Sequence, residues 1–299
     1  MSQEWLSQRE RGTIFAIRTI VWIALRLGRR TGRLALYPVV GYFLVAAPRV
    51  RAASRKYLAR VLGRRPRLRD VFRHIYAFGA VALDRVFFLT HRYDLFDIRI
   101  LGEDMLKAAL EQGQGCFLLG AHLGSFEALR ALGQSKRLRV KLVMYEENAR
   151  QTNLVARAID PELAASIISL GRFDSMLKVS EALEHGDWVG MLGDRALYDE
   201  GHVMVTFLGE RAELPASPFR LAAMLKRPVV LMAGLYRGGN RYDLVFESLI
   251  EDPGADRGRR DEAIGEWAQR YASRLERFCR EAPFNWFNFY DFWRLDERS

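Results

Sequence analysis

The chain has 299 residues, 49% of them hydrophobic and 27% charged, which excludes a disordered polymer and allows a large buried core in one domain, or in a domain with an appendage. The formal net charge is +10, and the excess sits at one end: residues 1–75 hold 17 Arg and Lys against 3 Asp and Glu, a net +14, and the remainder holds 29 against 33, a net −4. Two cysteines, Cys116 and Cys279, and five scattered histidines give neither a disulfide framework nor a metal-ligand spacing.

Two apolar runs open the chain, 13–25 broken by Arg18 and 34–47 broken by Pro38, with Arg26, Arg29, Arg30 and Arg33 between them. Neither reaches the roughly 20 apolar residues of a spanning helix, and neither has the form of a cleavable signal peptide. Two short apolar helices around a basic turn suit a membrane interface with anionic headgroups. The other reading is a pair of helices buried against the main domain. Nine basic residues follow in 49–69. Such a cluster also suits nucleic acid, but no helix-turn-helix, zinc-finger or RRM signature goes with it. The adjoining apolar runs favour an anionic membrane surface and no nucleic acid.

Residues 71–90 are predicted to form a core helix, with Phe72, Ile75, Phe78, Leu83 and Phe87 at near-helical spacing. From about Leu101 short apolar runs alternate with helical stretches. Strands are predicted at 116–120, 140–145, 188–192, 229–235 and 242–246, and helices at 125–132, 174–183 and 219–225. The alternation predicts an α/β domain with a mixed, largely parallel central sheet flanked by helices. Gly238-Gly239-Asn240 between the last two strands predicts a hairpin. After a polar linker at 251–260, Ile264, Trp267, Tyr271, Leu275 and Phe278 mark one face of a long helix that ends before Pro283. The tail at 285–293 is dense in aromatic rings, which is compatible with an interfacial belt; packing against the domain is the expectation here.

The most informative stretch is 115–132, where an apolar strand runs into Gly120-Ala121-His122 and Gly124-Ser125 open a helix. His122 then stands at the carboxyl end of a strand, where α/β sheets place ligand sites. Glu127, in the first turn of that helix, is close enough to fold back onto the imidazole. A hydroxyl nucleophile needs a base as it attacks, and neutral histidine suits this near pH 7. A carboxylate behind the ring fixes its tautomer, and the backbone N–H groups opening the helix would stabilise a developing oxyanion. The spacing is not specific by itself. Ser125 lacks the second glycine of a G-x-S-x-G elbow, no phosphate loop occurs, and Gly113, Gly115 and Gly120 make no dinucleotide fingerprint.

The run Gly120-Ala121-His122-Leu123-Gly124-Ser125-Phe126-Glu127 resembles the H-x4-E/D motif of glycerolipid acyltransferases, most of all the branch with the late lauroyl and myristoyl acyltransferases of lipid A biosynthesis. Gly186-Asp187-Trp188-Val189-Gly190-Met191-Leu192-Gly193-Asp194-Arg195 resembles that family's strand followed by Asp-Gln. Phe207-Leu208-Gly209-Glu210 and the segment from Leu214 to Ala222 resemble its Phe-Phe-Gly and Pro/Gly helix-entry motifs. The tail from Pro283 resembles its Pro-x-x-Trp-aromatic end, and the basic N-terminus resembles its membrane anchor. The likeness covers essentially the whole chain. One departure is Arg195, where the lipid A enzymes commonly have glutamine.

The resemblance implies a membrane-associating region at 1–70 and an acyltransferase catalytic domain at 71–299. It makes His122 the general base and Glu127 its orienting partner, with Gly124, Ser125, Asp194 and Arg195 binding substrate, and it implies no metal and no cofactor. The donor would be an acyl carrier protein or acyl-CoA thioester, and the acceptor a hydroxyl of a lipid A-like or other glycolipid. The place would be the cytoplasmic face of a bacterial inner membrane. Two other readings are a thioesterase or lipid hydrolase with the same dyad, and a non-enzymatic basic membrane-binding protein.

Overall fold

The computed structural model describes residues 24–111, 113–129, 131, 138–145, 165–170, 174–195, 201–254 and 257–294. Most of the first apolar run, 13–23, lies outside the described residues. Among the described residues, a helical stretch at 24–27 is followed by helices α1 (Arg29–Ala46), α2 (Pro48–Leu62) and α3 (Leu68–Leu89). Then follow β1 (Asp97–Leu101), α4 (Glu103–Glu111), β2 (Phe117–Gly120), β3 (Val140–Tyr145), β4 (Ile167–Leu170), α5 (Ser175–Glu184) and β5 (Trp188–Leu192). A hairpin of β6 (His202–Phe207) and β7 (Glu210–Pro215) leads to α6 (Ser217–Leu225), β8 (Val229–Tyr236), β9 (Arg241–Ile250) and α7 (Arg260–Glu281).

Among the described residues seven strands form one sheet in the order β1-β9-β8-β2-β5-β3-β4. Its pairs are parallel except β8 with β9, the hairpin predicted at 238–240. The Arg237 N–H donates to the Arg241 carbonyl across it, and Gly238 and Gly239 in the loop both take positive φ, +89° and +60°, which glycine adopts without strain. The α/β class and the largely parallel sheet are as expected. The strands β1 and β4 and the β6–β7 hairpin were not predicted. β1 is an edge strand that exposes alternate residues, and β4 has four residues, so neither carries a sustained apolar run.

Alternate residues of the strands feed two core layers. Phe117 and Leu119 of β2 and Val189 and Met191 of β5 face the layer built with α2, α5, α6 and α7. Leu118 and Trp188 face the layer under α1, α3 and α4. All eight residues of β8 are buried, the pattern of a strand covered on both faces. α7 places Ile264, Trp267, Tyr271, Leu275 and Phe278 inward, as their spacing predicts. The tail packs against the domain: Trp286, Phe287 and Phe292 are buried.

The first helices are tied into this core. Arg29 Nε and Nη2 donate to Asp84 Oδ1 and Oδ2 at 2.7 and 2.8 Å. Arg33 Nη2 and the Tyr242 hydroxyl reach Asp84 Oδ2 at 2.5 and 2.8 Å. Arg29 and Arg33, expected in a basic turn, lie instead on α1 and point inward, onto a buried carboxylate that needs compensating charge. Arg26 and Arg30 stay exposed. On its outer face α1 exposes Leu34, Tyr37, Tyr42 and Val45. Among the described residues no helix is long and apolar enough to cross a membrane. α2 is part of the core, through buried Tyr57, Leu58 and Val61.

Candidate active site

The strand pairing brings the site together. β2 and β5 run parallel with Gly120 opposite Leu192, so His122 and Asp194, each two residues further on, leave adjacent strands side by side, about 5 Å apart in the backbone. The turn after β2 is held on all sides. The Gly193 N–H and the Tyr271 hydroxyl both donate to the Gly120 carbonyl, at 3.0 and 2.9 Å. The Phe287 N–H donates to the His122 carbonyl at 2.7 Å, and the Gly124 and Ser125 N–H groups donate to the Asn285 and Gly234 carbonyls at 2.9 and 2.8 Å. Gly124 has φ +64°, and a Cβ there would lie 1.9 Å from the Gly234 oxygen. Only glycine fits that crossing.

His122 Nδ1 lies 2.8 Å from Asp194 Oδ1. The carboxylate only accepts, so Nδ1 carries the proton and Nε2 presents a lone pair. Nε2 has no hydrogen-bond partner among the described residues, and 29% of the side chain is accessible. Asp194 is fully buried. Its Oδ2 accepts three more hydrogen bonds: from the His122 backbone N–H at 3.0 Å, from Trp286 Nε1 at 2.9 Å and from Asn288 Nδ2 at 2.9 Å. Burial alone would push this carboxyl up. The facing His122 ring and backbone N–H, with Arg195, outweigh it and hold the group well below the usual carboxylate range. Burial also pushes the His122 imidazole down, Arg195 adds to this, and the Asp194 and Glu127 carboxylates oppose it. At neutral pH the pair is a carboxylate beside a neutral imidazole.

The predicted partner of His122, Glu127, is placed elsewhere. Of the helix expected over 125–132, the described residues show a 3-10 turn, Glu127–Leu129, and a helical residue 131. The Glu127 carboxylate pairs with Arg85 Nε of α3 at 2.8 Å and accepts from Ser125 Oγ at 3.3 Å. The orienting bond to the imidazole comes from Asp194 instead, because β5 delivers that carboxylate directly beside Nδ1. Glu127 remains an electrostatic neighbour of the ring. Gly124 and Ser125 also differ from expectation. Their N–H groups are occupied by carbonyls, so they are not open oxyanion donors, and Ser125 is fully buried. Both are held in the turn that follows β2. Arg195 Nε donates to Asn288 Oδ1 at 2.7 Å and Nη2 to the Phe287 carbonyl at 3.1 Å, with its guanidinium 5.8 Å over the Tyr290 ring. It braces the tail beside the site.

Sequence reasoning missed Arg85, Tyr271, Trp286 and Asn288 as parts of this constellation. Only the tail carried a signal, in polar Asn285 and Asn288 set among aromatic residues; both are buried, at 5% and 1% exposure, and buried amides need partners.

The model of the family described as bacterial lipid A biosynthesis acyltransferase matches residues 3–295. No curated protein matches the chain.

Proposed function

The chain belongs to the bacterial lipid A biosynthesis acyltransferase family, an O-acyltransferase family whose reaction is acyl transfer onto lipid A, and from that premise we propose that His122 is its general base and Asp194 the carboxylate that orients it. The acyl donor is a thioester on acyl carrier protein or coenzyme A, and the acceptor is a hydroxyl of a lipid A-type glycolipid. His122 Nε2 takes the acceptor's proton as the hydroxyl oxygen attacks the thioester carbonyl. The tetrahedral intermediate collapses, the C–S bond breaks, and the imidazolium returns the proton to the leaving thiolate. Asp194 keeps Nδ1 protonated and stabilises the imidazolium while it exists. Glu127, anchored by Arg85, adds a second negative charge near that cation.

The observation that carries this reading is the 2.8 Å bond from His122 Nδ1 to Asp194, with Nε2 unpartnered among the described residues at the end of a sheet strand. No serine or cysteine nucleophile is needed. The assay is transfer from labelled acyl carrier protein and acyl-CoA to lipid A precursor, for wild type and H122A. A labelled lipid made by wild type alone supports the reading. Release of free fatty acid would instead identify a hydrolase that uses the same dyad.

We infer that the enzyme works at the cytoplasmic face of the inner membrane, with residues 1–70 as the membrane-associating region and 71–299 as the catalytic domain. Support comes from the exposed apolar face of α1, with Leu34 and Val45 at 68% and 78% exposure, next to exposed Arg26, Arg30 and Arg49. Cations beside an apolar helix face suit an anionic bilayer surface. Flotation with anionic but not zwitterionic liposomes tests it.

A further inference from the structure

Behind the dyad lies a second buried histidine that the reaction does not use. His74 of α3 is fully buried. Its Nε2 lies 2.8 Å from the Trp286 carbonyl and its Nδ1 2.9 Å from Ser54 Oγ of α2. The carbonyl can only accept, so Nε2 carries the proton and Nδ1 accepts from the serine hydroxyl. The ring is neutral and its tautomer is fixed from both sides. Trp286, whose backbone is held in this way, donates its indole N–H to Asp194. Its backbone also bridges to Leu123, the residue after His122. Asn288, two residues on, has a single consistent amide orientation: Oδ1 accepts from Arg195 and Nδ2 donates to Asp194.

We propose that Trp286 and Asn288 are positioning residues for the dyad and that His74 sets Trp286, so that a continuous path of hydrogen bonds, Ser54–His74–Trp286–Asp194–His122, couples the first helices to the base. This rests on His122 and Asp194 acting as proposed above. The two donors share Asp194 Oδ2 and leave Oδ1 for the imidazole, so the carboxylate cannot turn away from the ring. Supporting partners of this kind set the orientation and basicity of the group they hold.

The simpler account makes Trp286 a core aromatic, since it packs against Tyr57, Phe207 and Phe292 at ring distances of 5.0, 5.2 and 4.8 Å. W286F separates the two, because it keeps a buried ring and removes the N–H. A carboxylate that loses a donor becomes more basic and holds the imidazole proton more strongly. The acid limb of the kcat/KM profile, where His122 titrates, then moves to higher pH. The charged and titratable groups facing the pair are Arg195, Glu127 with Arg85, and, around Asp194, Tyr271, Tyr290 and Cys279. All of them are kept in W286F.

The experiment is a pH–rate series on full-length protein in detergent for wild type, H122A, D194N, W286F, H74L and H74Q, each checked for folding by its thermal midpoint. W286F is expected to lose about tenfold in kcat with KM nearly unchanged, and to shift the acid limb up by about half to one pH unit. D194N is expected to shift that limb down. H74L should follow W286F, and H74Q, which can still donate to the carbonyl, should recover most of the loss. A folded W286F with the wild-type limb overturns the proposal, whether its rate is unchanged or uniformly lower, and so does an H74Q as impaired as H74L. An active H122A would instead overturn the dyad itself.

Discussion

Asp84 and Asp194 solve the same problem in two places. Each is a fully buried carboxylate, and each accepts four hydrogen bonds among the described residues. Around Asp84 the donors are two guanidinium groups and a phenol. Around Asp194 they are an indole, an amide, a backbone N–H and an imidazole. The imidazole's second nitrogen is unpartnered among the described residues, and the His122 side chain is partly open to solvent. The first cluster can only hold α1 against α3 and the sheet; the second can also move a proton. Burying a charge is thus a structural device in itself, and it becomes a candidate catalytic one when a partner titrates and faces outward.

The comparison breaks most visibly at the two ends of the dyad. H122A and D194N are each expected to lower acyl transfer by about 10²–10⁴-fold, with thermal midpoints close to wild type. Loss of folding in place of turnover would put Asp194 in the same class as Asp84. D84N is expected to do the reverse. Removing one charge from a buried pair costs about 3–5 kcal/mol, so its urea midpoint should fall steeply, and kcat per folded molecule should be kept. A stable but inactive D84N would make the first cluster part of the site.

His74 sharpens the contrast through pH. Burial holds its pKa down to about 4, below the ordinary 6.5, so the folded protein refuses a proton that the unfolded chain accepts. The stability from neutral His74 is complete above about pH 6.5 and is lost as pH falls toward 4, by up to about 3 kcal/mol. Urea unfolding of wild type and H74Q at pH 7.5, 6 and 5 measures this. Equal slopes would show that another group carries the loss. The smallest effect is expected at Glu127, where E127Q should lower kcat about tenfold, since a neighbouring charge is removed but the imidazole keeps its partner.

The part of this that local pattern makes legible is the frame. Apolar runs ending in glycine located β2 and β5, and the strand end located His122. The partner of His122 was not legible, because it depends on which strands are neighbours. Once β2 lies beside β5 with Gly120 opposite Leu192, Asp194 follows directly; along the chain, Glu127 is far closer. Glu127 was drawn away by Arg85, 42 positions earlier on α3, a contact with no local signature. Arg29 and Arg33 mislead in the same way: among exposed arginines they suggest a membrane surface, and only Asp84, some 50 residues on, turns them inward. Trp286 and Asn288 lie more than 90 residues from Asp194, and their role appears only when the tail folds under the site.

The most direct test sets the two carboxylates against each other. Product formation from acyl carrier protein thioester and lipid A precursor would be measured by mass spectrometry for D194N and E127Q, beside wild type. The structure predicts a loss of at least about a hundredfold for D194N and only about tenfold for E127Q. A larger loss in E127Q than in D194N would contradict the account and make Glu127 the carboxylate that serves His122.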